Sequence, residues 1–236
     1  MKDVNANTEA KRLAGEAAAA LVESGMLVGL GTGSTAAFAI AALGRRAQNE
    51  GLQIDCVATS FVSRTLGLEH GLRVLFLDQV SRIDISIDGA DEIDSDRNLI
   101  KGGGAAHTLE KLVHSMSDRF VVVADLSKRV ERLGEKFAVP VEVLPPALAF
   151  VRAALKEQGA ESVELRAAVR KDGPVVTDNG NLVLDAKFGP FDAPALEDAI
   201  KRLPGVVESG IFARTRARPG DCILGNPDHE SGFERF

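Results

Sequence analysis

The chain has 236 residues, 45% of them hydrophobic, and a formal net charge of −6, with an isoelectric point near 5.3. A chain of this length buries a substantial core, as one large domain or two modest ones, without covalent staples. The acidic balance argues against nucleic acid or an anionic membrane as the main partner, because both reward clustered positive charge; a local site can still hold a small anion. Cys56 and Cys222 lie far apart and form neither a disulfide framework nor a metal-ligand spacing. The opening MKDVNANTEAKR lacks the apolar core of a secretory signal. No stretch approaches the roughly 20 apolar residues that span a bilayer, so a reducing, cytoplasmic setting is expected.

In chain order, Ala10, Leu13, Ala14, Ala17, Leu21 and Val22 keep helical spacing over residues 8–24, and MLVGLG reads as a short buried strand. A glycine turn leads into the helical run STAAFAIAALGRRA. LQIDCVATS is strand-like, SRTLGLEHG helical, LRVLFL strand-like, and RIDISID is a further strand. Beyond a glycine loop come the helix HTLEKLVHSM and the apolar strand FVVVAD. Alternating helices and near-continuous apolar strands predict an α/β fold: a Rossmann-like, mostly parallel sheet with helices on both faces. After about residue 137 the rhythm changes to VPVEVLP, the helix ALAFVRAALKEQG, the strand SVELRA, the hairpin VVTDNGNLVLDA around Asn179-Gly180, the helix APALEDAIKRL and the strand GVVESGIF. That order predicts a smaller α+β domain of split βαβ, ferredoxin-like type. The apolar segment in DCILGNPD is expected to return to the first sheet. The expected division is therefore 1–136 with 209–236 as a discontinuous larger domain, and 137–208 as the smaller one. Arg214, Arg216 and Arg218 alternate on a strand-like segment, as a solvated or subunit-contact stripe.

Four segments carry chemistry. Gly29-Leu30-Gly31-Thr32-Gly33-Ser34-Thr35 joins a strand to a helix start, where glycines admit an anion to the backbone and N–H groups and hydroxyls receive it. The alternative is a tight turn capped by Ser or Thr. A dinucleotide fingerprint needs glycine where Ser34 stands, and the Gly-Lys pair of a P-loop is absent. Asp88-Gly89-Ala90-Asp91-Glu92 ends a strand whose partners in a parallel sheet face the ligand crevice, so Asp88 and Asp91 can address sugar hydroxyls; otherwise the segment is an acidic turn. Asp94-Ser95-Asp96-Arg97-Asn98 lacks the glycine and glutamate of a calcium loop.

Lys101-Gly102-Gly103-Gly104-Ala105-Ala106 points to a close backbone approach or an unusual turn. On the helix that follows, Glu110 lies about 40° from Ala106 and about 60° from Val113, at the border of an apolar stripe with Leu109, Leu112 and Met116. A border carboxylate faces either a crevice or solvent beside Lys111. Lys128, in Ala124-Asp125-Leu126-Ser127-Lys128, is an anion ligand or an exposed lysine. His107 and His114 form no metal motif, since Lys111 stands where an inverted zincin needs its second histidine.

In one order, GLGTGSTA, Thr59-Ser60, DGADE, KGGGAA with the glutamate beyond it, ADLSK, PVEVLP and VVTDNGN resemble the type A ribose-5-phosphate isomerase family across almost the whole chain. The resemblance implies interconversion of ribose 5-phosphate and ribulose 5-phosphate, no metal or organic cofactor, a small sugar phosphate as the only partner besides further copies of the chain, and a homodimer or homotetramer. It also implies roles. Thr32, Gly33, Ser34 and Thr35 surround the phosphate with Lys128 adding charge, and Asp88 and Asp91 contact hydroxyls, with Asp88 assisting ring opening. Lys101 stabilises the oxyanion, Glu110 is the base, and Gly89, Ala90, Gly102, Gly103 and Gly104 line the substrate. His107-Thr108-Leu109 departs from a pattern with an apolar first and a basic third residue, and the tail ESGFERF is unlike the family's ending. A sugar-phosphate sensor on a related fold and a nicotinamide-dependent oxidoreductase are the competing readings.

Overall fold

A computed structural model describes residues 4–236, with side-chain environments from residue 7 onward. The chain begins with α1 (Val4–Ala19), β1 (Leu27–Leu30), α2 (Ser34–Glu50), β2 (Asp55–Ala58), α3 (Phe61–Glu69), β3 (Arg73–Val74) and β4 (Ile83–Asp88). Two-residue strands β5 (Glu92–Ile93) and β6 (Leu99–Ile100) precede α4 (His107–Ser115) and β7 (Ser117–Asp125). Then come β8 (Val139–Val143), α5 (Leu148–Glu157), β9 (Ala160–Leu165), β10 (Leu182–Phe188), α6 (Ala193–Lys201), β11 (Val206–Ser209), β12 (Ile211–Phe212), β13 (Cys222–Gly225) and β14 (Phe233–Arg235).

Two compact units emerge. The first comprises Met1–Ala90, Leu109–Lys128 and Ala217–Phe236; the second comprises Asp91–Thr108 and Arg129–Arg216. This division differs from the sequence-based boundaries at 136/137 and 208/209. The cause is a small antiparallel sheet, β12-β6-β5, in which Ile211 and Phe212 pair with Ile100 and Leu99. It draws residues 91–108 into the second unit.

The first unit holds a seven-stranded sheet in the order β14-β13-β7-β4-β1-β2-β3. All its pairings are parallel except β13 with β14. Read along the parallel strands, the order is the doubly wound 3-2-1-4-5-6, so direction reverses between β1 and β4. DCILGNPD does return to this sheet, pairing Cys222–Gly225 beside Val122–Asp125. The unusual tail supplies the antiparallel edge, β14. Neighbouring residues of a strand point to opposite faces. Accordingly Cys56 joins Val28, Leu30, Ile85 and Ile87 in a core built with α1 and α2, whereas Val57 packs with Val113 of α4. Burial pushes the Cys56 thiol up to about 12, with Asp55 adding to the rise, so this sulfur stays protonated and unreactive.

Two elements have bounds other than the expected ones. LRVLFL forms only Arg73–Val74 at the sheet edge, because the Phe76 N–H donates to Gln79 Oε1 at 3.1 Å and turns the chain. The helix expected from Ser63 starts at Phe61, since Ser60 and Ser63 form a reciprocal capping box.

The second unit carries the four-stranded sheet β11-β8-β10-β9, antiparallel at every pairing. Strand β10 lies between β8 and β9, which α5 connects, and this is the split βαβ arrangement expected from sequence. Val141 and Val143 of β8, Leu184 of β10, Val151 and Leu155 of α5 and Ile200 of α6 share its core. The expected hairpin keeps its turn, with Gly180 at φ +82°. Its first arm makes only isolated bridges, because the Val175 N–H is taken by the Arg166 carbonyl. Arg214, Arg216 and Arg218 lie exposed in irregular chain rather than on a strand. No helix among the described residues is long and apolar enough to cross a membrane.

Candidate active site

In open doubly wound sheets ligands bind beyond the carboxyl ends of the strands, where strand order reverses. In the first unit that place is marked by Gly31-Thr32-Gly33 after β1 and Asp88 at the end of β4. Gly31 is required there: a Cβ on it would come within 2.5 Å of the Asp88 Cα. Asp88 is fully buried, and its Oδ1 accepts the N–H of Thr32 at 2.9 Å and of Gly89 at 2.7 Å. Thr32 Oγ1 lies 2.8 Å from Thr59 Oγ1 and donates to Ser60 Oγ at 2.7 Å, which ties the β1 and β2 ends together. Gly33 and Ser34 are exposed, and Thr35 is buried. The first turn of α2 has neither a side-chain cap nor an acidic residue, so its N–H groups face an incoming anion without competition. Gly89 and Ala90 are half-buried, as is Lys128, which ends a short 3₁₀ turn after β7.

Glu110 sits in the first turn of α4 and is only 3% exposed, so it is not the solvated surface acid that is the ordinary fate of a helical glutamate. Of the apolar stripe expected beside it, Ala106 and Val113 are buried and Leu109 and Met116 half-buried, with Leu112 the exception. Leu112 is 47% exposed, while Glu110, Lys111, Val113 and His114 are buried. The helix therefore turns much of its polar chemistry inward. His114 is the residue that sequence reasoning passed over: its Nε2 lies 3.0 Å from Asp88 Oδ2 and its Nδ1 2.9 Å from Ser86 Oγ.

The second unit holds Asp91, Lys101 and the glycine loop. Asp91 Oδ2 accepts the Gly103 N–H at 2.8 Å. Lys101 is buried; its N–H donates to the Gly210 carbonyl at 2.8 Å and its ammonium lies 5.7 Å from the centroid of the Phe212 ring. Gly102 has φ +105°, where a side chain would be strained and would also meet the His107 ring. Gly103 and Gly104 are exposed. The loop is clamped by a residue with no motif to announce it: Arg166 Nη1 donates to the Gly102 carbonyl at 2.7 Å and the Gly103 carbonyl at 3.2 Å, while its Nε holds Asp185 at 2.8 Å. His107, the departure from an apolar position, is accommodated by the Glu208 carbonyl, 3.3 Å from its Nε2.

Two acids of the quoted motifs are structural. Glu92 is buried and accepts the N–H groups of Gly134, Lys136 and Phe137. Asp94 closes its own turn through the N–H groups of Asp96 and Asn98. Glu142 of β8 is fully buried and gathers Thr108, Thr177 at 2.8 Å, Asn179 at 3.1 Å and Asn181 at 2.8 Å. Burial drives its carboxyl up, but the hydrogen bonds from Thr108, Asn181, Asn179 and Thr177 outweigh it and hold the group below its ordinary value of 4.5. A depressed carboxylate contributes stability that is present above its unfolded value and lost as pH falls through the folded one. The thermal stability of the protein is expected to fall progressively below pH 4.5. Glu142→Gln is expected to flatten that dependence and to cost about 1–3 kcal/mol near neutrality, because an amide cannot accept from all four donors. An unchanged acid profile in the variant would remove this role.

A dinucleotide site would carry its ribose-binding acid about where Asp55 stands. Asp55 is the first residue of β2, at the opposite strand end from the crevice, and pairs with Arg73 at 3.2 Å. A cavity of about 470 Å³ lined by Leu27, Asp55 and Arg73 also lies at that opposite end, outside the candidate site.

Comparison with known proteins agrees with this geometry. The family model described as ribose 5-phosphate isomerase A (phosphoriboisomerase A) matches residues 55–229. A ribose-5-phosphate isomerase A of a Synechococcus strain is 56% identical over 207 residues, covering 87% of this chain and 89% of the relative. The solved ribose 5-phosphate isomerase A of Methanocaldococcus jannaschii superposes with a TM-score of 0.91 at 42% identity, over 98% of this chain and 99% of that one. A D-ribose-5-phosphate isomerase solved in complex with phospho-erythronic acid gives a TM-score of 0.91 at 41% identity, over 97% of each chain. With a doubly wound sheet, an anion-ready helix start beside a buried acid at its switch point, and likeness over nearly its whole length, the chain belongs to the ribose 5-phosphate isomerase A family.

Proposed function

We propose that the protein is an aldose–ketose isomerase that interconverts D-ribose 5-phosphate and D-ribulose 5-phosphate through an enediolate. The observation that carries this reading is the family match over residues 55–229, joined to an uncapped helix start beside Asp88. The relative solved with phospho-erythronic acid, a phosphorylated sugar acid, supports a sugar-phosphate ligand.

Thr32, Gly33, Ser34 and Thr35 hold the phosphate, with Lys128 adding positive charge. Asp88 assists ring opening, in which the C1–O4 bond breaks, the O1 proton leaves and O4 gains one. Asp91 accepts from sugar hydroxyls, and Gly89, Ala90, Gly102, Gly103 and Gly104 admit the substrate close to the backbone. The Glu110 carboxylate then takes the C2 proton. The electron pair forms C1=C2 and charge passes to O1, where Lys101 stabilises it. Glu110 returns the proton to C1, the O2 hydroxyl becomes the new carbonyl and its proton passes to O1. Oxidation at C2 is matched by reduction at C1, all within the substrate.

The reaction fits the non-oxidative branch of the pentose phosphate pathway. A cytoplasmic setting agrees with the two buried free cysteines. Exposed Phe61, Val62 and Leu68 on α3, with Phe76 nearby in sequence, support assembly as a homodimer or homotetramer.

Proton NMR of the purified protein with ribose 5-phosphate in heavy water tests the reading. Ribulose 5-phosphate carrying deuterium at C1 is the expected product, and sedimentation of the same preparation reads its assembly. Binding without conversion would replace the isomerase with a sugar-phosphate sensor. Turnover that required added nicotinamide cofactor would make the protein an oxidoreductase.

A further inference from the structure

Ser86 and Asp88 are two residues apart on β4 and so share a face of the sheet. On α4, His114 stands one turn beyond Glu110, at the spacing that puts two side chains on one helix face. Its ring bridges the two β4 side chains, with Nδ1 2.9 Å from Ser86 Oγ and Nε2 3.0 Å from Asp88 Oδ2. Phe120 of β7 fixes the ring plane, stacked at 3.8 Å with 13° between the rings. Ser86, Asp88 and His114 are all buried.

Chemistry decides the tautomer. An ionised carboxylate only accepts, so the hydrogen sits on Nε2 and is donated to Asp88, while Nδ1 accepts from the Ser86 hydroxyl. The other carboxylate oxygen, Oδ1, is held by the N–H groups of Thr32 and Gly89. Asp88 is thus gripped from both sides: backbone fixes one oxygen and an imidazole carried on α4 fixes the other. A buried histidine usually satisfies the core and nothing more. Here its contact goes to the acid at the switch point of the sheet.

We infer that His114 is a positioning residue for Asp88, setting the rotation of the carboxylate that handles the proton of the opening sugar ring. The inference rests on the reading of Asp88 as the ring-opening group. Ribulose 5-phosphate separates the two halves of the reaction. Its O5 carries the phosphate, so the ketose has no furanose to open, and exchange of its C1 proton needs only the enediolate chemistry.

His114→Phe keeps a ring against Phe120 and removes both nitrogens. Its turnover of ribose 5-phosphate is expected to fall about 10- to 100-fold, the loss of one hydrogen bond to a charged group. Exchange of the ribulose 5-phosphate C1 proton with heavy water is expected to stay within about twofold of the unaltered protein. His114→Gln offers an amide N–H at the Nε2 position and restores turnover, whereas His114→Asn reaches only the Nδ1 position and does not. Equal loss in both reactions, or unaltered turnover in His114→Phe, overturns the inference. So does equal turnover in the Gln and Asn variants.

If the variants do not fold, the ring ¹⁵N spectrum of the unaltered protein decides instead. Hydrogen on Nε2 of His114 is expected, and hydrogen on Nδ1 with a bare Nε2 overturns the contact. Failure of the unaltered protein to convert ribose 5-phosphate would bring down the isomerase reading itself, which is a different result from any of these.

Discussion

Glu110→Gln is expected to lower turnover by about 10²–10⁴-fold while the protein stays folded and still binds a phosphorylated substrate analogue. The substitution keeps the size of the side chain and much of its hydrogen bonding, but an amide cannot take the C2 proton. At 3% exposure Glu110 is packed within the protein, so a generic surface effect of within about 0.5 kcal/mol is not the comparison to make. The informative measurement is exchange of the C2 proton of ribose 5-phosphate in heavy water, alongside thermal unfolding and analogue affinity. Near-normal exchange in a folded variant would move the base to Asp88 or Asp91.

Lys101→Ala is expected to cost about 10²–10³-fold in turnover, the scale of removing one fixed donor to a developing oxyanion. The charge is wanted most when the enediolate forms, so kcat should fall much more than KM rises. Because Lys101 is buried beside Phe212, truncation also removes packing, and Lys101→Met separates the two effects by keeping the stem without the charge. A methionine variant with normal kcat and a raised KM would make Lys101 a binding residue.

Much of the fold was legible because its signals are local and repeated. MLVGLG is an apolar run ending in glycine and RIDISID alternates isoleucine with polar residues up to an acid, and they became the two strands that flank the switch point. Asn179-Gly180 marked a turn that is present. LRVLFL failed for the opposite reason: its apolar content promised a strand, but an edge position left Phe76 free to bond Gln79 and turn away. The site was partly legible through motifs in which glycine, acid and lysine occur together. His114 and Arg166 gave no such signal. Each is a lone polar residue whose meaning depends on a partner far away in the chain, Asp88 for one and the Gly102 carbonyl for the other. On α4 helical periodicity located most of the apolar stripe, Leu112 excepted, but it gave no sign that the helix also buries Lys111 and His114. Unit boundaries were displaced by two-residue strands too short to leave a pattern.

The return of β13 to the parallel sheet has a consequence for how the chain reaches this state. Val122 and Cys222 are direct neighbours in the ladder and one hundred positions apart in sequence, with most of the second unit encoded between them. Contacts of such separation raise contact order, and a high contact order slows folding because a long loop must close before its pairing is rewarded. During synthesis the ferredoxin-like segment leaves the ribosome before β13 exists, so until then the β7 edge is an unpaired strand of six buried residues from Phe120 to Asp125. That edge leaves a nascent chain of this protein open to pairing with the wrong partner.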